Sequence, residues 1–171
     1  MAYEKSPFGD GSDAGSGNVT YAVSNHYGPR TTGKSNGVIG TEGAMNELTL
    51  HLDGKVVSDE EFALYVKPFL PAYCRIEDVY LEVEEVFVLG GTSPVVNVGT
   101  DGSETTNGIE ITESQLETVG VYDLTSTLAG TWAAAGGITA ETTLGIVMDG
   151  TSPTSDETAG KAKVVIRYVK V

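Results

Sequence analysis

Lys161-Ala162-Lys163-Val164-Val165-Ile166-Arg167-Tyr168 is the stretch that decides the fold class. Ala162, Val164, Ile166 and Tyr168 fall on one face, and Lys161, Lys163, Val165 and Arg167 on the other, the period-two pattern of a strand with one side against a core. The same alternation recurs upstream. Leu48, Leu50 and Leu52 share a face within Glu47 to Leu52, and Val79, Leu81 and Val83 share one opposite Asp78, Glu82 and Glu84. The doubled Glu84-Glu85 shifts the phase, so a bulge is needed to bring Val86 and Val88 back to the inner face. Shorter apolar runs at 95–98, 109–111, 119–124 and 144–148 are separated by clusters of Gly, Ser, Thr, Asn and Asp. Asp53-Gly54 reads as a turn. Seven to nine short strands with no long helical period between them predict an all-β fold, an antiparallel β-sandwich or barrel.

Two passages fit this pattern less directly. Ser58-Asp59-Glu60-Glu61 before Phe62 to Val66 suits a capping box or a loop into a strand, and Pro68 and Pro71 favour the strand. Ala129 to Ala140, with Trp132 inside it, is expected to be a long loop plugging one end of the sandwich. Gly91-Thr92-Ser93-Pro94 and Gly150-Thr151-Ser152-Pro153 repeat a tetrapeptide, read as a duplicated turn type rather than a duplicated domain.

Charge divides the chain in two. Of 24 Asp and Glu against 10 Lys and Arg, residues 1–41 hold three of each sign, so the whole net charge of −14 falls on residues 42–171. The first segment is glycine-rich and carries few branched aliphatics, too little apolar surface to order by itself. It is predicted to be an extended arm, residues 1–41, before a sandwich domain, residues 42–171. Tyr3, Phe8, Tyr21 and Tyr27 are spaced along it, and aromatic anchors of this kind carry much of the energy at protein interfaces. Arg30, after Pro29, suits a carboxylate or carbonyl on a partner.

Composition excludes several functions. A charge of −14 opposes binding to nucleic-acid phosphate, which draws on Lys and Arg. No run approaches the length of a membrane helix, and Met1 to Asp10 lacks the pattern of a secretory leader, so synthesis in a reducing cytoplasm is expected. The single Cys74 allows no internal disulfide and reads as a small buried hydrophobe. His26 and His51 lack a metal-spaced partner, and neither a phosphate loop nor a nucleophile elbow is present. The Asp101-Gly102-Ser103-Glu104 turn offers oxygens without the spacing of a calcium loop. Glu77, Asp78, Glu82, Glu84 and Glu85 crowd one strand, where a pair about 5 to 9 Å apart would suit glycoside hydrolysis. A solvated acidic face is the expectation there. Neither a catalytic residue, a metal nor a cofactor is assigned.

Three segments carry a family resemblance: Tyr27-Gly28-Pro29-Arg30-Thr31 leading to Asn46-Glu47-Leu48; Arg75 to Leu89 continuing into Gly90-Gly91-Thr92 and Val96-Asn97-Val98-Gly99-Thr100; and the ending Gly160 to Tyr168. Together they resemble the head decoration, or cement, proteins of tailed bacteriophages and related capsid-associated jelly-roll proteins. The resemblance spans most of the chain from residue 27 and rests on strand and turn patterns. It implies a non-enzymatic virion protein, often trimeric, made in the host cytoplasm and seated on the outer surface of the capsid, where it clamps coat subunits. On that reading the arm residues Tyr3, Phe8, Tyr21, Tyr27, Pro29 and Arg30 bind the major capsid protein, and Lys161, Lys163 and Arg167 face another copy in a homotrimer. The rival is a carbohydrate- or receptor-binding sandwich of a phage fibre or adhesin, with Trp132 beside Tyr122 or Tyr65. A small hydrolase using the carboxylates of 77–85 is the third.

Overall fold

The computed structural model describes residues 21–25, 45–62 and 67–171. Among these residues nine strands lie in two antiparallel sheets: β1 (Tyr21–Asn25), β2 (Met45–Asp53), β3 (Phe69–Leu70), β4 (Cys74–Glu85), β5 (Leu89–Thr100), β6 (Gly108–Thr112), β7 (Gly120–Asp123), β8 (Thr142–Ser155) and β9 (Lys161–Lys170). One sheet runs β1-β2-β9-β4-β7 and the other β3-β8-β5-β6. The pairings nest: β5 with β6, β4 with β7, β3 with β8 and β2 with β9. They describe one long hairpin rolled up so that β4 meets β9 and β5 meets β8. This is the antiparallel sandwich that the alternation predicts, with the strand order of the jelly roll that the resemblance implies.

The core lies between the sheets. Leu48, Leu50 and Leu52 from β2, Val79, Leu81 and Val83 from β4, and Val164, Ile166 and Tyr168 from β9 meet Val96, Val98, Ile109, Ile111, Leu144 and Ile146 of the facing sheet, all buried. Each such aliphatic side chain contributes about 1.5–3 kcal/mol on leaving water. Trp132, 2% exposed, and Ile138 close one end of this core from the loop after β7, which makes 3₁₀ turns at Thr125–Thr127 and Gly130–Trp132.

Local chemistry overrides the sequence pattern in three places. Asp53-Gly54 is not a tight turn: Asp53 Oδ1 accepts from Val56 N at 2.8 Å and caps a short helix, α1 (Gly54–Asp59). The helix stops at Glu60, whose φ of 54° is left-handed. Phe62 is buried, and the strand expected over 62–66 falls mostly outside the described residues. A bulge does occur at Glu84, between the Val83 and Glu85 registers, yet Phe87 turns inward while Val86 and Val88 stay exposed. The apolar run at 119–124 pairs only over Gly120–Asp123.

The repeated tetrapeptides are bulges within strands rather than turns between them. Both lie in the β5–β8 ladder, with Thr92 opposite Thr151 and the register shifting on either side of that pair. Gly91 and Gly150 have φ of 107° and 135°, and Ser93 and Ser152 both have φ of 51°. A Cβ on Gly91 would sit 2.7 Å from Ser152 O, and one on Gly150 would sit 3.1 Å from Ser93 O. Each glycine therefore receives the backbone of the other copy. Just beyond, Asp156 N donates to Val88 O at 3.0 Å, where both strands cross from one sheet toward the other. Bulges that bend and twist two paired strands together are what a jelly-roll corner requires.

Sheet edges are managed individually. The β8 edge is met by Glu60, whose Oε1 accepts from Met148 N at 2.8 Å, and by Pro68 O, which accepts from Leu144 N at 2.7 Å. Ala129 N donates to Gly108 O beside β6. The edge of β2 is taken by β1. Such coverage prevents unwanted strand addition.

Candidate functional site

Five cross-strand rungs of β2, β9 and β4 compose the outer face of the five-stranded sheet. They read Met45–Val169–Arg75, Glu47–Arg167–Asp78, Thr49–Val165–Tyr80, His51–Lys163–Glu82 and Asp53–Lys161–Glu85. Strand order, not proximity in sequence, places the acidic strand against the basic one. Lys161 reaches Glu85 at 3.1 Å, Lys163 bonds Glu84 and lies 4.0 Å from Glu82, and Arg167 Nε donates to Glu47 Oε2 at 3.3 Å. The Arg167 guanidinium also sits 5.3 Å over the Tyr80 ring, a cation–π contact.

The three cations expected to meet another copy thus already hold carboxylates of their own chain. The Lys163 bond keeps the Glu84 carboxyl below its usual range, and Glu84 in turn raises Lys163. A general acid needs the opposite shift. Glu77 accepts from Arg75 at 2.8 Å, so Glu77, Glu82, Glu84 and Glu85 are engaged in a charge ladder on an open sheet face. At the Asp101 turn, Lys67 donates to Asp101 at 3.0 Å and Gly102 N to Glu104 at 2.9 Å. Among the described residues, no group of three or more His, Cys, Asp and Glu is placed to hold a metal ion.

Of the arm residues singled out from sequence, Tyr3, Phe8, Tyr27, Pro29 and Arg30 lie outside the described residues. Tyr21 opens β1, which runs antiparallel to β2 with Tyr21 opposite Leu50 and Asn25 opposite Asn46. Part of the arm is therefore an added edge strand on its own sheet.

Of the aromatics invoked for sugar binding, Tyr65 lies outside the described residues and Trp132 and Tyr122 form no open platform. Trp132 is buried, with Nε1 donating to Thr100 Oγ1 at 3.3 Å, and Tyr122 is half-buried with its hydroxyl donating to Thr118 O at 2.9 Å. Cys74 is fully buried, and desolvation pushes its thiol up to about 11, away from a nucleophilic thiolate. Among the described residues no helix is long and apolar enough to cross a membrane.

Sequence reasoning missed Tyr73, which is 61% exposed with a left-handed φ of 57°. The available signal was absence of charge: none occurs between Lys67 and Arg75 or between Asp123 and Glu141. These two runs meet through the Cys74–Ile138 bridge at the Trp132 end. Comparison of the chain with protein-family models, with curated proteins and with solved structures gave no match.

Proposed function

We propose that this protein is a non-enzymatic decoration protein that binds the outside of a phage capsid and stabilises the coat lattice, with the major capsid protein and further copies of itself as partners. The observation that carries the reading is β1. A five-residue piece of the glycine-rich arm is held along a sheet edge by main-chain pairing, the form in which an extended arm adds to the edge of another sheet. The jelly-roll topology agrees with the family resemblance, and the acidic domain suits a position outside the shell, away from packaged DNA. The fibre-module reading loses its principal support with the burial of Trp132.

Attachment stabilises a shell by mass action, and many symmetry-related copies multiply a modest contact. The test mixes coat shells lacking this protein with the intact chain or with one lacking residues 2–40, pellets them, and compares their heat-induced rupture. The intact chain should co-sediment and raise the rupture temperature, and the truncated chain should do neither. Equal protection by both would move the binding surface from the arm to the sandwich. Failure of both to bind any shell would overturn the reading.

A further inference from the structure

We propose that the uncharged end of the sandwich around Tyr73 is the surface through which copies of this chain associate. The inference rests on the homo-oligomer part of the proposed function and is independent of capsid attachment.

A chain of net charge −14 repels its own copies, so a contact between identical subunits is favoured where charge is lowest. That condition singles out an identical partner, because a basic partner would be drawn to any acidic face. The β4–β9 face does not meet it: its lysines and Arg167 are committed to intrachain carboxylates. The other exposed valines fall among acids as well. Val121 lies opposite Glu82 and exposed Val119 is two residues from Glu117.

The Tyr73 end comes closest to the condition: its two uncharged runs adjoin, with Arg75, paired to Glu77, and Lys170, opposite Cys74, at their border. Exposed Ala133 to Gly136 joins Tyr73 through Cys74, which exchanges backbone hydrogen bonds with Ile138. Exposed Val171 joins it from the other side, its N–H donating to Tyr73 O at 2.8 Å. Tyr73 itself is the least expected residue there. A bulky side chain in left-handed backbone costs roughly 1–2 kcal/mol, and here that backbone holds a large aromatic out in solvent. Tyrosine supplies wide, rigid contact area at low entropic cost and is enriched among the residues that dominate interfaces.

Light scattering and sedimentation of the purified full chain test the proposal. The wild type should have a mass that is a multiple of 17.9 kDa. Tyr73→Gly removes the ring and accepts the same φ without strain, so it should keep or raise the melting temperature while weakening association by about tenfold or more. Ala134→Glu should do the same by placing a charge in each copy's contact, and Val121→Glu should leave the mass unchanged. Raising salt from about 0.1 M to about 1 M shortens the screening length from about 10 Å to about 3 Å, and should tighten association by relieving repulsion. A contact through Lys161, Lys163 and Arg167 would loosen instead. A wild type that stays at 17.9 kDa, an oligomer indifferent to Ala134→Glu, or one dissolved by Val121→Glu or by salt would each overturn the proposal. Capsid pelleting is read separately, so failure here and failure of the capsid reading are distinguishable.

Discussion

Apart from Glu60 at the end of α1, left-handed backbone at described residues other than glycine occurs at two contrasting places in this sandwich. At the corner, Ser93 and Ser152 share a φ of 51° and lie on either side of the Thr92–Thr151 pair in adjacent strands, each fitted against the other tetrapeptide's glycine. At the Trp132 end, Tyr73 holds φ 57° with its side chain in solvent. The corner strain has a structural return, because it bends two paired strands as they pass toward the other sheet. Among the described residues, the left-handed backbone at Tyr73 bends no pair of strands. The difference separates backbone forced by folding from backbone that presents a side chain, and substitutions at the two sites should respond in opposite ways.

The largest effect is expected at the corner. Gly91→Ala and Gly150→Ala each place a methyl against backbone that cannot swing away, at φ values that L residues rarely adopt. About 2–4 kcal/mol of destabilisation is expected for each in denaturant unfolding. Because each glycine packs on the other motif, the double variant should lose less than the sum. Strict additivity in that cycle would mean that the two tetrapeptides act separately, and the account of a shared corner would fail.

A smaller effect, with the opposite sign, is expected inside the core. The Tyr168 hydroxyl is fully buried and finds no hydrogen-bond partner among the described residues, and desolvation raises its pKa far above the usual phenol range. Tyr168→Phe removes an unsatisfied polar group at little cost in volume, so stability should rise by about 1 kcal/mol. A loss of that size would show that the hydroxyl is bonded in solution.

Ser93→Gly and Tyr73→Gly sharpen the comparison directly. Relief of a left-handed residue is worth roughly 1–2 kcal/mol, and the added chain entropy of glycine takes back about 0.5–1. Each variant should therefore gain a few tenths to about 1 kcal/mol in urea unfolding of the monomer. Only Tyr73→Gly should also change the mass in solution. If Ser93→Gly dissociates the protein too, the corner belongs to the contact and the division drawn between the sites is wrong.

Much of the fold was legible because two-sheet burial writes itself into alternation. β2 and β9, and β4 from Val79 to Val83, put every second residue in the core, and their patterns needed no knowledge of partners. Helix α1 was not legible. Asp53-Gly54 has the composition of a hairpin turn, and the bond from Asp53 to Val56 decides otherwise over only six residues. The tetrapeptide repeat was visible, but its meaning depends on a register that joins residues about 60 apart. The same holds for the surface: that Lys163 would meet Glu82 and Glu84 follows from β9 lying beside β4, which no local pattern states. Tyr73 was hidden for another reason. A bulky residue carries no signal for left-handed backbone, and only the uncharged runs around it pointed to that end.

The smallest effects concern pH, and they separate the charge ladder from the local turns. Among the described residues, three carboxyls sit below their usual range. Glu84 is held there mainly by its bond to Lys163, Asp123 by the Thr125 side chain first and then by accepting from Thr125 N at 2.8 Å, and Asp156 by Thr158, whose N and Oγ1 donate at 2.8 and 2.7 Å. A carboxyl depressed on folding binds its proton less readily in the folded chain. It contributes stability above its unfolded pKa and loses it as pH falls through the folded value. Lys163, raised mainly by Glu84, contributes below its unfolded pKa and loses its part as pH rises through the folded one. All four groups are at the surface, so the effects are slight, and relief of the overall negative charge on acidification opposes the carboxyl terms. A difference measurement removes that background. The melting temperature of the wild type should exceed that of Glu84→Gln at neutral pH, with the gap closing as pH falls below about 4. About 1 M salt should narrow the gap at neutral pH, whereas the gap between the wild type and Asp156→Asn, which rests on short local hydrogen bonds, should hardly change. If salt erased both gaps equally, the turn carboxylate would be acting through long-range charge, and the distinction between ladder and turn would fall.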